Sequence, residues 1–114
     1  MRKKVLLVDD SVLILKIAAF FLGRSYDVVT AGSGTEALEK AVSERPDLIL
    51  MDFHMPDMEG SDVAHSLERE PRIRRVPVVI MTTESELGRL DGMDCLVKPF
   101  DASTLLSKVE HYLH

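Results

Sequence analysis

The sequence predicts an α/β protein: a doubly wound parallel sheet with helices on both faces. Short apolar runs alternate with longer segments of helical periodicity along the chain, which is the pattern of strand–helix units. The short runs are apolar at consecutive positions, as expected of strands buried on both faces. The 114 residues, 46% hydrophobic and 29% charged, fit one domain with one core, and no repeat, linker or low-complexity segment interrupts them.

The elements follow in order. Lys4–Val8 is the first strand. Ser11 is placed to cap a helix reaching about Arg24, with Ile14, Ile17, Ala18 and Phe21 on one face. Asp27–Ala31 is the second strand. Ser33 and Glu36 suit a capping box for a helix with Ala37, Leu38, Ala41 and Val42 inward, and Pro46 ends it. Residues 48–51 form the third strand, followed by Asp52 and a loop with Pro56 and Gly60. Asp57 lies in that loop with no evident anchor. The next helix turns Val63, Ala64 and Leu67 inward. Residues 78–81 are the fourth strand, and residues 94–97 a shorter fifth. Asp101 caps a last helix with Leu105, Leu106, Val109 and Leu113 on its inner face. Bringing Asp9 and Asp10 beside Asp52 requires the first strand to be central. The flavodoxin-like (βα)5 order 2-1-3-4-5 does this, with its switch point between strands one and three.

The first helix is apolar nearly all round, since only Lys16 interrupts residues 12–22. A helix of that kind is usually buried on more than one side, yet this architecture turns Leu13 and Phe20 to solvent. They are either ordinary surface side chains or a partner-docking or homodimer surface.

Composition excludes several classes. A net charge of −5 and a pI near 5.3 argue against direct, sequence-independent nucleic-acid binding, which needs a basic face. Arg72, Arg74 and Arg75 read as a solvated loop. Cys95 is alone, so neither a disulfide framework nor a cysteine zinc site is available; it reads as a small buried side chain. The N-terminal apolar run is too short for a signal peptide, and no run reaches membrane-spanning length. A cytoplasmic protein without membrane contact is expected. His65, His111 and His114 read as helix-surface residues. Met51 and Met81 read as strand core, and Met55 and Met58 as packing for the loop.

The chemistry collects at one edge. Asp9, Asp10, Asp52, Thr82 and Lys98 each follow an apolar run, and in an open α/β sheet the site lies outside the carboxyl ends of the strands. Three neighbouring carboxylates repel one another. A hard cation relieves the conflict, and magnesium, with its preference for oxygen ligands and water, suits one or two carboxylates plus a phosphate. Lys98 adds a point charge and Thr82 a hydroxyl donor for a phosphoryl oxygen. Asp52, on a central strand beside the acid pair, is placed as the nucleophile. The absence of a glycine-rich phosphate loop speaks against nucleotide binding, so the phosphoryl group must come from a partner or a small donor. His54 is expected to keep its ring in solvent, because magnesium prefers oxygen.

With these motifs in this order, the chain resembles a CheY-like receiver domain of the two-component response regulators, from Lys3 to about Leu113. The resemblance implies one receiver domain over residues 1–114, free-standing or part of a longer regulator. It implies an aspartyl phosphate on Asp52, received from a histidine kinase or a histidine phosphotransfer protein. The direct magnesium ligands would be Asp10, Asp52 and the main-chain carbonyl of His54, with Asp9 acting mostly through water. Thr82 and Lys98 would bind the phosphoryl group and report it. Gly60 matches the family's glycine near the third helix, and Lys98-Pro99 matches a bond that is usually cis. Such a domain assists its own phosphorylation and dephosphorylation and is not a separate enzyme.

Two features depart from the family pattern. Only fifteen residues separate Thr82 from Lys98, roughly one and a half helical turns fewer than usual, so the fourth helix is expected to be shortened or missing. Cys95 stands where the family has its aromatic switch residue. Thr83 stands where the side chain is usually smaller. These departures favour an alternative, a phosphate-independent pseudo-receiver acting as a protein-interaction module, whereas the intact acids oppose it. A phosphatase of the haloacid dehalogenase type would want an acid two residues after the nucleophile, where His54 stands.

Overall fold

Apolar runs paired through parallel ladders dominate the computed structural model, which describes residues 2–73, 75–90 and 92–113. The expectations for Arg74 and His114 lie outside these residues. Strands β1 (Lys4–Val8), β2 (Asp27–Ala31), β3 (Leu48–Asp52), β4 (Val78–Thr83) and β5 (Cys95–Lys98) form one sheet in the order β2-β1-β3-β4-β5. All four ladders are parallel. The α-helices are α1 (Val12–Leu22), α2 (Gly34–Glu44), α3 (Gly60–Glu68) and α4 (Ala102–Leu113).

Strand alternation sorts the core into two layers. Val5, Leu7, Leu48, Leu50, Val79, Met81 and Leu96 meet Ala18 and Leu22 of α1 and Leu105, Val109 and Leu113 of α4. Leu6, Val8, Ile49, Met51 and Ile80 meet Ala37 and Ala41 of α2 and Val63 and Leu67 of α3. The sheet is thus buried on both faces, as its continuous apolar runs require.

The caps fall where the sequence puts them. Ser11 Oγ accepts from Ile14 N at 3.3 Å, Ser33 Oγ from Glu36 N at 3.1 Å and Asp101 Oδ1 from Thr104 N at 2.8 Å. Glu36 closes its box one residue early, accepting from Gly32 N at 2.7 Å. Some boundaries move. α1 ends at Leu22 with Gly23 as its C-cap, short of Arg24. β3 takes in Asp52, β4 extends to Thr83, and β5 starts at Cys95 instead of Asp94. Ile17, expected inward, is 47% exposed, whereas Leu13 and Phe20 are exposed as expected, at 67% and 64%.

Between β4 and β5 stands a single 3-10 helix, Glu84–Arg89. The segment has too few apolar side chains to bury an amphipathic α-helix. Leu90 is buried in the second layer, while Leu87 stays exposed. The connection closes through Gly92, whose φ of 74° is a left-handed conformation that glycine adopts freely. Among the described residues no helix is long and apolar enough to cross a membrane.

Candidate functional site

The strand ends bring the five expected side chains to one edge. Register sets Val8 against Met51, Asp52 against Met81 and Thr83 against Lys98. Asp9, just beyond β1, is buried. Its Oδ1 accepts from Ser11 N at 2.9 Å and its Oδ2 from Lys98 Nζ at 2.9 Å. The same ammonium donates to Asp52 Oδ1 at 3.1 Å. Asp10 is exposed at the mouth. One oxygen from each of Asp9, Asp10 and Asp52 lies within 4.8 Å of the others. Thr82 is buried on the neighbouring strand, its hydroxyl 3.5 Å from its nearest partner, Thr83 O.

The electrostatics follow from burial and crowding. Burial pushes the Asp52 carboxyl above its ordinary range; the Lys98 bond opposes this, and the charges of Asp9 and Asp10 add to it. Burial would lower the Lys98 ammonium, but its bonds to Asp9 and Asp52 outweigh that and raise it. Three carboxylates against one ammonium leave an excess of negative charge. An all-carboxylate donor set of this size fits a hard divalent cation that keeps part of its water shell.

The rim of the site carries contacts that no sequence pattern marks. His54 keeps its ring away from the acid cluster, as expected, but it is engaged. Nε2 pairs with Glu86, and Nδ1 lies 3.3 Å from Glu59. The Glu86 bond, with both glutamate charges, raises the imidazole's pKa. Arg89 lies 5.1 Å over the Phe53 ring and 3.7 Å from Glu86, and Thr83 Oγ1 donates to Glu86 Oε1 at 3.1 Å. These contacts join the loop after Asp52 to the 3-10 helix. Asp57, which the sequence leaves without an anchor, is fixed: it accepts from Gly34 N at 2.8 Å, Thr35 N at 3.0 Å and Thr35 Oγ1 at 2.6 Å. Gly60 is needed for close approach, since a Cβ there would come within 2.7 Å of the Asp52 carbonyl oxygen.

The family model for the response regulator receiver domain matches residues 5–110. The chain belongs to this family. This receiver domain is 37% identical, over 99% of its length, to the alkaline phosphatase synthesis transcriptional regulatory protein PhoP of Bacillus subtilis (strain 168), and covers 49% of that protein. It is 35% identical, over 96% of its length, to the response regulator PleD of Caulobacter vibrioides, covering 26% of it. The chain therefore spans about half, or about a quarter, of the length of these relatives. The chemotaxis response regulator CheY4 of Vibrio cholerae superposes with a TM-score of 0.89 at 34% identity, covering 99% of this chain and 100% of CheY4. Within the receiver domain, the Lys98-Pro99 bond is cis, as the family pattern implies. Cys95, at the family's aromatic switch position, pairs with Ile80 and is half-buried, not fully buried as expected.

Proposed function

We propose that residues 1–114 act as one phosphoacceptor module in two-component signalling, with Asp52 receiving a phosphoryl group from a histidine kinase or a histidine phosphotransfer protein. The observation that carries this is the Asp52 carboxylate at the end of β3, bonded to Lys98 and gathered with Asp9 and Asp10 within 4.8 Å. An Asp52 oxygen attacks phosphorus as the phosphorus–nitrogen bond to the donor imidazole breaks. Lys98 holds positive charge against the transferring group, and the Thr82 hydroxyl donates to one of its oxygens. Asp10, Asp52 and the His54 carbonyl, with Asp9 behind water, are the proposed holders of magnesium. When bound, that ion supplies the positive charge that three carboxylates and one lysine lack.

The domain turns over no external substrate in this reading. Its net charge of −5 supports protein contact over direct nucleic-acid contact, and its family supports a place in the cytoplasm, away from membranes. The exposed side chains of Val12, Leu13, Ile17 and Phe20 belong to a helix that starts beside Asp10. They are proposed to form the contact with a downstream protein partner. A second reading, the phosphate-independent interaction module, draws on Cys95 and the 3-10 helix at the positions where the family transmits its signal.

Acetyl phosphate with magnesium should add one hydroxylamine-labile phosphoryl group to the wild type and none to Asp52→Asn, read by intact mass. Equal incorporation in both chains would overturn the assignment to Asp52, and none in the wild type would favour the second reading. Magnesium should also raise the melting temperature, because it binds the folded acid cluster and not the unfolded chain. Asp10→Ala should lose that response and melt higher than wild type without metal, having shed a like charge. A wild-type melting curve indifferent to millimolar magnesium contradicts the proposed metal site.

A further inference from the structure

We propose that Asp57 is a positioning residue for the site: by docking the tip of loop 53–60 on the first turn of α2, it sets the pose of the loop's neck beside Asp52. This rests on the reading of the acid cluster as the metal and phosphoryl centre. The loop is a closed structure fastened to itself. Phe53 N donates to Met81 O at 2.9 Å, Gly60 N to Phe53 O at 2.7 Å and Met55 N to Met58 O at 3.1 Å, and His54 and Glu59 form an antiparallel bridge. The neck follows Asp52 directly and carries His54, while the tip is Pro56, Asp57 and Met58.

That tip is pinned to α2. Both Asp57 oxygens accept there, from the amides of Gly34 and Thr35 and from the Thr35 hydroxyl. Met58 packs so closely that a Cβ on Gly34 would lie 2.9 Å from its Sδ. The donors at the start of α2 are shared out without overlap. Glu36 N goes to Ser33 Oγ and Gly32 N to Glu36, which leaves Gly34 N and Thr35 N to a carboxylate 22 or more residues away. Losing Asp57 would strip the buried Gly34 amide and the Thr35 amide of their acceptor, with the stability cost of a lost helix cap; the consequence specific to this carboxylate is mechanical. Phe53 would stay fixed by its burial and its bond to Met81 O, but beyond it His54 would rest on the loop's own bonds and on the exposed pairs of His54 and Glu59, and exposed ion pairs hold weakly. A residue that orients a ligand-bearing segment changes metal affinity without touching the metal.

The test uses the full chain and magnesium alone. Isothermal titration is run on wild type, Asp57→Ala, Asp57→Asn, Asp10→Ala and Ser33→Ala. Ser33→Ala removes a cap from the same helix but leaves the tether. Asp57→Ala should weaken magnesium binding about tenfold; Asp57→Asn, which retains one acceptor oxygen, should fall between it and wild type; Ser33→Ala should bind within about twofold of wild type. Amide exchange without metal should be faster over residues 53–60 in Asp57→Ala and unchanged there in Ser33→Ala. Wild-type affinity in Asp57→Ala, or an equal loss in Ser33→Ala, overturns the positioning role. Should Asp10→Ala bind as tightly as wild type, the metal reading itself fails. Exchange over 53–60 then decides the tether alone, and unchanged exchange in Asp57→Ala overturns it.

Discussion

Asp52 ends β3 and Asp57 lies in the loop that follows it, and their surroundings push the two aspartates in opposite directions. The Thr35 hydroxyl, then the amides of Gly34 and Thr35, hold the Asp57 carboxyl at about 2, below its ordinary 3.8. Burial raises Asp52 instead. A depressed folded-state pKa contributes stability that is present above the unfolded value and is lost as pH falls through the folded one. Between pH of about 4 and about 2, wild type should therefore lose more stability in chelator than Asp57→Asn does. Parallel pH slopes of the urea midpoint would contradict this. Lys98 is the cation on which buried Asp9 depends, so Lys98→Ala should destabilise the metal-free chain by about 1–3 kcal/mol in urea unfolding. Asp9, Asp52, Thr82 and Lys98 were legible because each follows an apolar run that fixes its place at a strand end. Asp57 was not, because its partners lie 22 or more residues away on α2, nor were Glu59, Glu86 and Arg89, because their contacts depend on how loop 53–60 meets the 3-10 helix and no local period marks that.

At the scale of elements, the missing α-helix between β4 and β5 could be counted out of the spacing from Thr82 to Lys98. The phase of α1 could not. A helix apolar nearly all round gives no stripe to orient it, and its pattern turns Ile17 inward although Ala18 and Leu22 hold the buried face and Ile17 is exposed. The small thiol of Cys95 cannot swing as a ring does, and the 3-10 helix offers little to move as a rigid body. A ligand shifts only elements whose states it binds differently, and the segments that meet at the site through His54 and Glu86 are 53–60 and 83–93. With a beryllofluoride phosphate mimic, amide exchange should slow mainly in those two segments. Partner binding should fall with Leu13→Ala or Phe20→Ala. Strong protection across residues 94–113, with neither substitution mattering, would mean that the output runs through β5 and α4 instead.

For the molecule as a whole, core and patch are energetically distinct. Leu50 is wholly buried at the centre of the sheet while Phe20 is 64% exposed. Leu50→Ala should cost about 2–5 kcal/mol, whereas Phe20→Ala should change stability by about 0.5 kcal/mol or less by the same urea titration. The strand order also has a consequence in time. No neighbouring strands are joined by a hairpin, so each ladder closes a long loop before it gains anything. β1 and β3 pair at the centre and bring the three acids together, while the lysine that partners them arrives on β5, at the sheet's edge and late in the chain. A chain that assembles its centre before its edge passes through a moment of uncompensated repulsion at the barrier. Magnesium present during refolding should then speed the folding limb of the chevron as well as slowing the unfolding limb, because it relieves the barrier as well as the native state. If stopped-flow refolding proceeds at one rate with and without the ion, the acids come together only after the barrier is crossed.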